Sequence, residues 1–155
     1  MKTLLSFIIG AMVTFTSYCG QAQNNTFTDK QAENMLFEFY TQHFKIWETH
    51  SLPSNVRYNK LDSLMQKHCT SKLRNEAREV FENVGVDLLT NDLIGNLNEN
   101  LKVEKDIANE FGYIVSFISD IVTYADVPGK TTKKQIVLHV TVIKEGESYK
   151  IDSVK

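Results

Sequence analysis

The alternation of apolar and polar residues is most regular at the end of the chain, over residues 135–155. Before a Glu-Gly-Glu segment at residues 145–147, every second side chain is apolar: Ile136, Leu138, Val140 and Val142. After that segment, Tyr149 and Ile151 continue the apolar series. A period of two predicts β-structure, and a break centred on glycine predicts a tight turn. The pattern therefore predicts two antiparallel strands whose even-numbered side chains before the turn face the core.

Residues 112–124 also alternate and predict another strand, with an apolar face made of Tyr113, Val115, Phe117 and Ile121. Residues 101–105 predict a shorter strand before it, and Val-Pro-Gly-Lys at residues 127–130 predicts a turn after it. The mixed residues 87–92 predict an irregular connection. Together these segments predict an antiparallel sheet of three to four consecutive strands.

The first half of the chain has an apolar period near 3.6, which predicts helices. Thr28 and Gln31 have the spacing of a capping box, so we expect the first and longest helix to begin there. Its predicted inward face holds Ala32, Met35, Leu36, Phe39, His43, Ile46 and Trp47, and a second apolar flank holds Phe37, Tyr40 and Phe44. A helix that is apolar over more than half its circumference is mostly buried. We expect this helix to cover the sheet and to end at Pro53.

Two shorter helices are predicted after it. Residues 57–68 place Leu61, Leu64, Met65 and His68 inward, and residues 71–82 follow a cap at Thr70 and end before Gly85. Helices that all precede the strands favour an α+β fold over an alternating α/β fold. The predicted architecture is one domain over residues 23–155, with a long helix and two shorter ones packed on the sheet.

Residues 1–22 predict an export signal. Lys2 precedes an apolar run at residues 4–15, and the small residues Gly20 and Ala22 predict cleavage after Ala22. The run is shorter than the ~20 residues that span a membrane. Cys19 keeps an alternative open, in which it becomes a lipidated first residue that anchors the chain to a membrane. We therefore expect a periplasmic or secreted protein, membrane-bound only if Cys19 is lipidated.

The composition excludes some classes of function and supplies no chemistry. The net charge is −2, without the basic excess typical of nucleic-acid binders. The four histidines (His43, His50, His68 and His139) show no metal-ligand spacing, so we predict no metal and no cofactor. Cys69 is predicted to pack in the core rather than to react, and residues 87–92 to bond locally within a turn.

Several segments carry a resemblance to a known family. They are Phe-Glu-Phe-Tyr at residues 37–40, Lys-His-Cys-Thr-Ser-Lys-Leu at 67–73, residues 87–92, Tyr-Ile-Val-Ser-Phe at 113–117 and Val-Ile-Lys-Glu-Gly-Glu-Ser-Tyr-Lys-Ile-Asp at 142–152. With its export signal, the chain resembles a family of small exported Bacteroidetes-type proteins of unknown function. The resemblance implies a nuclear transport factor 2-like, or cystatin-like, fold, in which a curved antiparallel sheet wraps round a long helix. It implies no activity, because the family has no assigned reaction.

We expect an exported, non-enzymatic binding domain whose partner is a protein or a second copy of the chain, and an immunity or inhibitor protein is one concrete version. The expected contact surface is the odd-numbered face of the long strand, which mixes apolar and polar groups: Val137, His139, Thr141 and Ile143. The first alternative is a carrier of small apolar ligands, with a pocket between the first helix and the sheet lined by Trp47, Tyr113 and Tyr149. The second alternative is an enzyme of the nuclear transport factor 2-like fold, which is cone-shaped, although the sequence supplies no acid–base constellation.

Overall fold

A computed structural model describes residues 20–93, 98–123 and 130–155, and the side-chain surroundings of residues 29–91, 99–120 and 132–155. Most of the predicted export signal, including Cys19, lies outside the described residues, as does most of the turn predicted at residues 127–130. The described chain forms three helices followed by six strands. This order confirms the α+β prediction.

The three helices are α1 (Gly20–Glu48), α2 (Ser54–His68) and α3 (Ser71–Val84). The predicted start of α1 at Thr28 is wrong, because the helix already runs from Gly20 and no proline interrupts residues 20–28. Pro53 marks the start of α2 rather than the end of α1, since it is the residue that precedes the first turn of α2. A proline tolerates that position because the first helical N–H groups have no partner within the helix.

The ends of α3 are where the sequence predicts them. The Thr70 hydroxyl accepts a hydrogen bond from the backbone N–H of Leu73 at 3.2 Å, which satisfies one of the free donors of the first turn. At the other end, Gly85 has a φ of 73°, a left-handed conformation that glycine adopts without strain. Thr70 also joins the helices to the sheet, because its N–H donates to the carbonyl of Ile151 at 2.9 Å.

The main sheet is an antiparallel meander with the strand order β3-β4-β5-β6. Its strands are β3 (Asn98–Lys105), β4 (Gly112–Thr123), β5 (Lys130–Glu145) and β6 (Ser148–Val154). The turn between β5 and β6 is centred on Gly146, which has a φ of 61°. Residues 87–92, predicted to be an irregular connection, instead belong to a small hairpin of β1 (Val86–Asp87) and β2 (Asp92–Leu93).

The core lies between α1 and the inner face of the sheet. Inward side chains of α1 meet the even-numbered side chains of β5 and the odd-numbered ones of β4, as predicted. Phe44 packs edge-on against Phe117, with ring centroids 4.9 Å apart. The buried residues that fill this layer are Leu36, Phe39, Tyr40, Phe44, Val115, Phe117, Leu138, Val140 and Ile151. Phe37 departs from the prediction, because it is 50% exposed on the outer flank of α1.

A candidate ligand cavity among the three helices

The carboxylate of Asp87 accepts hydrogen bonds from two side chains of α1. His43 and Trp47 are one helical turn apart and therefore share a face of the helix. Asp87, at the end of β1, accepts hydrogen bonds from His43 Nε2 at 3.0 Å and from Trp47 Nε1 at 3.1 Å. Its second oxygen accepts the backbone N–H of Leu89 at 3.0 Å. The tight β1–β2 hairpin thus aims one carboxylate at the carboxyl-terminal half of α1.

The pKa of Asp87 is held below its ordinary value. Burial, the largest effect, acts to raise it. The adjacent His43 and the hydrogen bonds from His43, Leu89 and Trp47 outweigh that effect, because each favours the ionised carboxylate. Asp87 is therefore a buried negative charge with three donors, two supplied by α1 and one by its own hairpin.

Other polar atoms lie nearby without a hydrogen-bond partner within the described ranges. They are His43 Nδ1, Tyr40 Oη and His68 Nε2. Burial raises the pKa of Tyr40 well above its ordinary value, and the charges of Cys69 and Asp87 add to the effect. Burial, followed by the charge of Lys67, lowers the pKa of His68. The buried region around Asp87, His43, Tyr40 and His68 is consequently more polar than the core layer between α1 and the sheet.

A cavity of about 450 Å³, here called the three-helix cavity, opens among α1, α2, α3 and the β1–β2 hairpin. His43 and Asp87 form its polar wall. Apolar and aromatic groups form the rest of the interior lining: Trp47, Tyr58, Leu61, Met65, Ala77, Phe81 and Leu89. Small-molecule sites typically combine such an apolar lining with a few convergent polar groups, and their volumes fall in the range of roughly 300–1,000 Å³.

Each helix contributes one aromatic ring to this cavity. Trp47 of α1 lies 6.3 Å from Tyr58 of α2, and Tyr58 lies 5.6 Å from Phe81 of α3, measured between ring centroids. The guanidinium of Arg57 lies 5.6 Å from the centroid of Trp47, and it also donates to the carbonyls of Thr49 and Leu52. The rings form a continuous row, here called the aromatic row, because the three helices converge at this point.

The polar rim of the cavity carries more negative than positive charge. Arg78 of α3 pairs with Asp62 of α2 at 2.9 Å, and both side chains are about half exposed. Glu82, one turn further along α3, lines the same rim and has no ion-pair partner among the described residues. The rim therefore has one paired cation and an unmatched carboxylate.

A wider groove of about 830 Å³ lies on the other side of α2, between α2 and α1. Its rim carries the long side chains of Lys45, Lys60 and Lys67, and its floor is formed by Ile46, Leu52, Val56 and Leu64. It is more open to solvent than the three-helix cavity, and no buried carboxylate lines it. We therefore place the candidate site in the three-helix cavity.

The structure brings only one of the three predicted pocket residues to this cavity. Trp47 lines it. Tyr113 lies near the opposite end of α1, where its hydroxyl donates to Asp29 at 3.0 Å. Asp29 precedes Trp47 by five helical turns, roughly 27 Å along the axis. Tyr149 is half buried and pairs with Lys144 across the β5–β6 turn. Side chains of the core fill the space between α1 and the sheet, where the pocket was predicted.

The predicted contact surface does form one face of β5. Val137 is 49% exposed, His139 is exposed, and Thr141 and Ile143 are half buried. Their cross-strand neighbours on β4 include Ile114, opposite His139, and Ser116, opposite Val137. The end of the β3–β4 loop adjoins β5, because Val142 N–H donates to the carbonyl of Phe111 at 2.9 Å. That loop exposes Ile107 completely and Phe111 by 54%.

The other candidate side chains, Cys69, His50 and His139, do not line the three-helix cavity. Cys69 is buried at the end of α2, and burial raises the pKa of its thiol to about 12, which disfavours the reactive thiolate. His50 lies exposed in the loop after α1, and His139 Nδ1 lies 3.9 Å from Asp106.

In the described parts of the chain, no three His, Cys, Asp or Glu side chains converge as metal ligands. No helix in those parts combines the length and hydropathy that a bilayer crossing requires.

The His43–Asp87–Trp47 cluster is the feature that the sequence does not reveal. His43 and Trp47 are both recognisable as inward residues of one helix, but Asp87 lies 40 residues beyond Trp47. The sequence indicates this cluster only through Asp87, an acidic residue in the first segment after the helices. Many such residues bond only to their own backbone, as Asp87 also does through Leu89.

Comparison with known proteins supports the fold and assigns no activity. No protein-family model matches the sequence, and no curated protein matches it. The crystal structure of a protein of unknown function from Bacteroides thetaiotaomicron VPI-5482 is similar, with a TM-score of 0.71 and 20% identity. The similarity covers 90% of this chain and 99% of that chain. The two proteins therefore share an overall fold.

Proposed function

We propose that this protein is an exported, non-enzymatic domain that binds a small, largely apolar molecule in the three-helix cavity. The observation that carries this proposal is the composition of the cavity wall, in which the aromatic row adjoins the buried pair of His43 and Asp87. An apolar lining provides affinity through burial, and a few polar groups orient the ligand. The cavity contacts all three helices, so a bound molecule would also stabilise their packing.

The absence of catalysis is part of the proposal. A general acid or base must come within hydrogen-bond reach of the proton that it transfers. His43 is 1% exposed, so its unpartnered Nδ1 is buried, and its Nε2 is committed to Asp87, whose own oxygens are committed to three donors. This arrangement supports a role for the pair in orienting groups within the wall rather than in exchanging protons with a substrate.

Two further features belong to the same proposal. The sequence pattern of residues 1–22 supports export. The long helix α1, lying across a four-stranded antiparallel sheet, supports a nuclear transport factor 2-like arrangement. In such an arrangement a pocket between helix and sheet would be expected, whereas here the space available to a ligand lies behind α1, among the helices.

Native mass spectrometry of the protein, purified mildly from its exporting host, tests the proposed function. We expect a fraction of the protein to carry a non-covalent small molecule. The variant Ala77→Met should lose it, because a methionine side chain would extend from α3 into the cavity. Ala108→Met, at an exposed loop position, should retain it. Equal retention by both variants would count against the cavity as the site.

A contact with another protein through the outer face of β5 is the second candidate function. It is favoured by Val137, which is half exposed on that face, and by Ile107 and Phe111, which are exposed in the β3–β4 loop at the start of β4. Exposed apolar groups are typical of interaction sites where they form a patch. The partner is either a second copy of the chain or a different protein, such as one that this domain inhibits.

Sedimentation velocity separates these alternatives. If copies of the chain associate through this face, Ile143→Asp should shift the protein toward the monomer, and Ile143→Val should leave its association unchanged. Unchanged sedimentation of the aspartate variant would exclude a self-contact at this position. A wild-type protein that is monomeric at all concentrations would leave a different protein as the only partner of this kind.

A further inference from the structure

We propose that the ligand of the three-helix cavity carries an organic ammonium group. This inference rests on the proposed function and specifies the chemistry of the ligand. It follows from two independent properties of the cavity: the number and arrangement of its aromatic rings, and the sign of the charge on its wall.

The aromatic row provides the first argument. A positively charged ammonium group is attracted to the negative faces of aromatic rings, and several rings around one space form the usual recognition site for methylated ammonium ions. Trp47, Tyr58 and Phe81 line one cavity, and adjacent rings are 5.6–6.3 Å apart. Arg57, which does not line the cavity, already places its cationic group 5.6 Å from the Trp47 ring.

The charge of the wall provides the second argument. Besides Tyr58, which is neutral near pH 7, the titratable groups that line the cavity are His43, Asp62, Arg78, Glu82 and Asp87. Arg78 is matched by Asp62, and even a protonated His43 would only match Asp87. Glu82, which is exposed on the rim, is then left without an ion-pair partner among the described residues. A cationic group at that rim would be attracted to Glu82, whereas an anionic one would be repelled by it.

The ammonium group of the ligand and the apolar part of the ligand would contact different parts of the cavity wall. The charged head would lie against the aromatic row, on the side of the cavity where Glu82 forms the rim. The apolar remainder would contact Leu61, Met65 and Leu89. A neutral molecule of the same shape could occupy the same space, but it would lack the attraction to the rings and to the carboxylates.

Choline and its neutral isostere 3,3-dimethyl-1-butanol provide a direct test. They differ in the charged nitrogen, which the neutral molecule replaces with carbon. Isothermal titration calorimetry should show choline binding at least ~5-fold more tightly than the isostere. Because Trp47 is the single tryptophan, its indole N–H gives one cross-peak in a ¹⁵N–¹H correlation spectrum, and choline should shift that peak.

The variant Phe81→Leu shows whether the difference arises at the aromatic row. Phe81 is only half buried, so leucine should preserve the fold. Choline binding should weaken about 3- to 10-fold, while binding of the isostere should change little. Phe111→Leu, in the distant β3–β4 loop, is the matched control and should leave both affinities unchanged.

The outcomes separate this inference from the proposed function. Equal affinity for choline and the isostere, or no effect of Phe81→Leu on choline binding, would overturn the ammonium inference. N-phenyl-1-naphthylamine, a neutral apolar probe, reports on the cavity itself. Binding of that probe without binding of choline would reject the ammonium group and preserve the ligand cavity. Failure of all three molecules to bind would reject both.

Discussion

At the scale of single residues, the most consequential group is Asp87. Its carboxylate joins the β1–β2 hairpin to α1 through His43 and Trp47, and it does so with its side chain only 11% exposed. A buried ionised group is destabilising unless it is fully hydrogen-bonded. Removing the charge of Asp87 should therefore loosen one wall of the cavity.

We predict that Asp87→Asn lowers the free energy of unfolding by about 2–4 kcal/mol, because an amide cannot accept all three bonds and leaves His43 without its charged partner. Urea denaturation at pH 7 measures the change. Asp62→Asn removes a carboxylate from a half-exposed pair with Arg78 and should cost no more than about 1 kcal/mol. Equal losses in the two variants would show that the buried cluster stabilises the protein no more than an exposed ion pair does.

The stabilisation by Asp87 should also depend on pH. Because the folded-state pKa lies below the unfolded value of about 3.9, the contribution is fully present above that value. It is lost as the pH falls through the folded pKa. The difference in stability between wild type and Asp87→Asn should therefore shrink in acid, and a difference that persists unchanged at pH 3 would contradict the assigned ionisation.

Residue-scale prediction from sequence succeeded where a local rule applied. The inward positions Leu36, Phe39 and His43 follow from helical spacing alone, and the packing of Cys69 follows from its apolar surroundings. The partner of His43 could not be predicted, because it depends on how a hairpin beyond α3 folds back to α1. Phe37 was misplaced for a related reason, since one flank of α1 faces solvent rather than another element.

At the scale of elements, α3 is the best-specified helix in the chain. Thr70 begins it and Gly85 ends it, and both ends have the geometry that their residue types favour. The Thr70 hydroxyl lies 3.2 Å from both Leu73 N and Asp152 Oδ1, so the cap also links α3 to β6. This link positions the helix that supplies Ala77 and Phe81 to the cavity.

We predict that Thr70→Ala destabilises the protein by about 1–2 kcal/mol, because the first turn of α3 loses its side-chain acceptor in a buried setting. Thr70→Ser, which retains the hydroxyl, should cost less than half as much. Thermal unfolding followed by circular dichroism measures both variants. A serine variant as unstable as the alanine variant would assign the effect to the lost methyl group instead of the cap.

At the scale of the whole molecule, the order of elements and the division into a core face and an outer face of the sheet were predictable. They follow from the change of apolar period from 3.6 to two and from the alternation along β4 and β5. The position of the cavity was not predictable, because it arises where three helices converge. Trp47 was predicted to line a pocket between the first helix and the sheet, whereas it lines the three-helix cavity, and Tyr113 could not be excluded without knowing the length of α1.

We predict that the protein is exported and that its mature form begins at Gln23. Cleavage after Ala22 would remove three residues, Gly20–Ala22, from α1 and would leave the buried residue Ala32 within the helix. Intact mass measurement of protein exported by a Gram-negative host, with its own N-terminus, determines the cleavage site. A mass that corresponds to a diacylated Cys19 would contradict this prediction and assign the protein to a membrane surface.

Titration of N-phenyl-1-naphthylamine into the protein, followed by energy transfer from Trp47, tests the claim that the three-helix cavity binds a small molecule. We predict saturable transfer in the wild type and in Ala108→Met, and a loss of at least ~10-fold in affinity in Ala77→Met, because added side-chain volume displaces the probe. Circular dichroism should show that all three proteins are folded. Undiminished binding by folded Ala77→Met would contradict the claim.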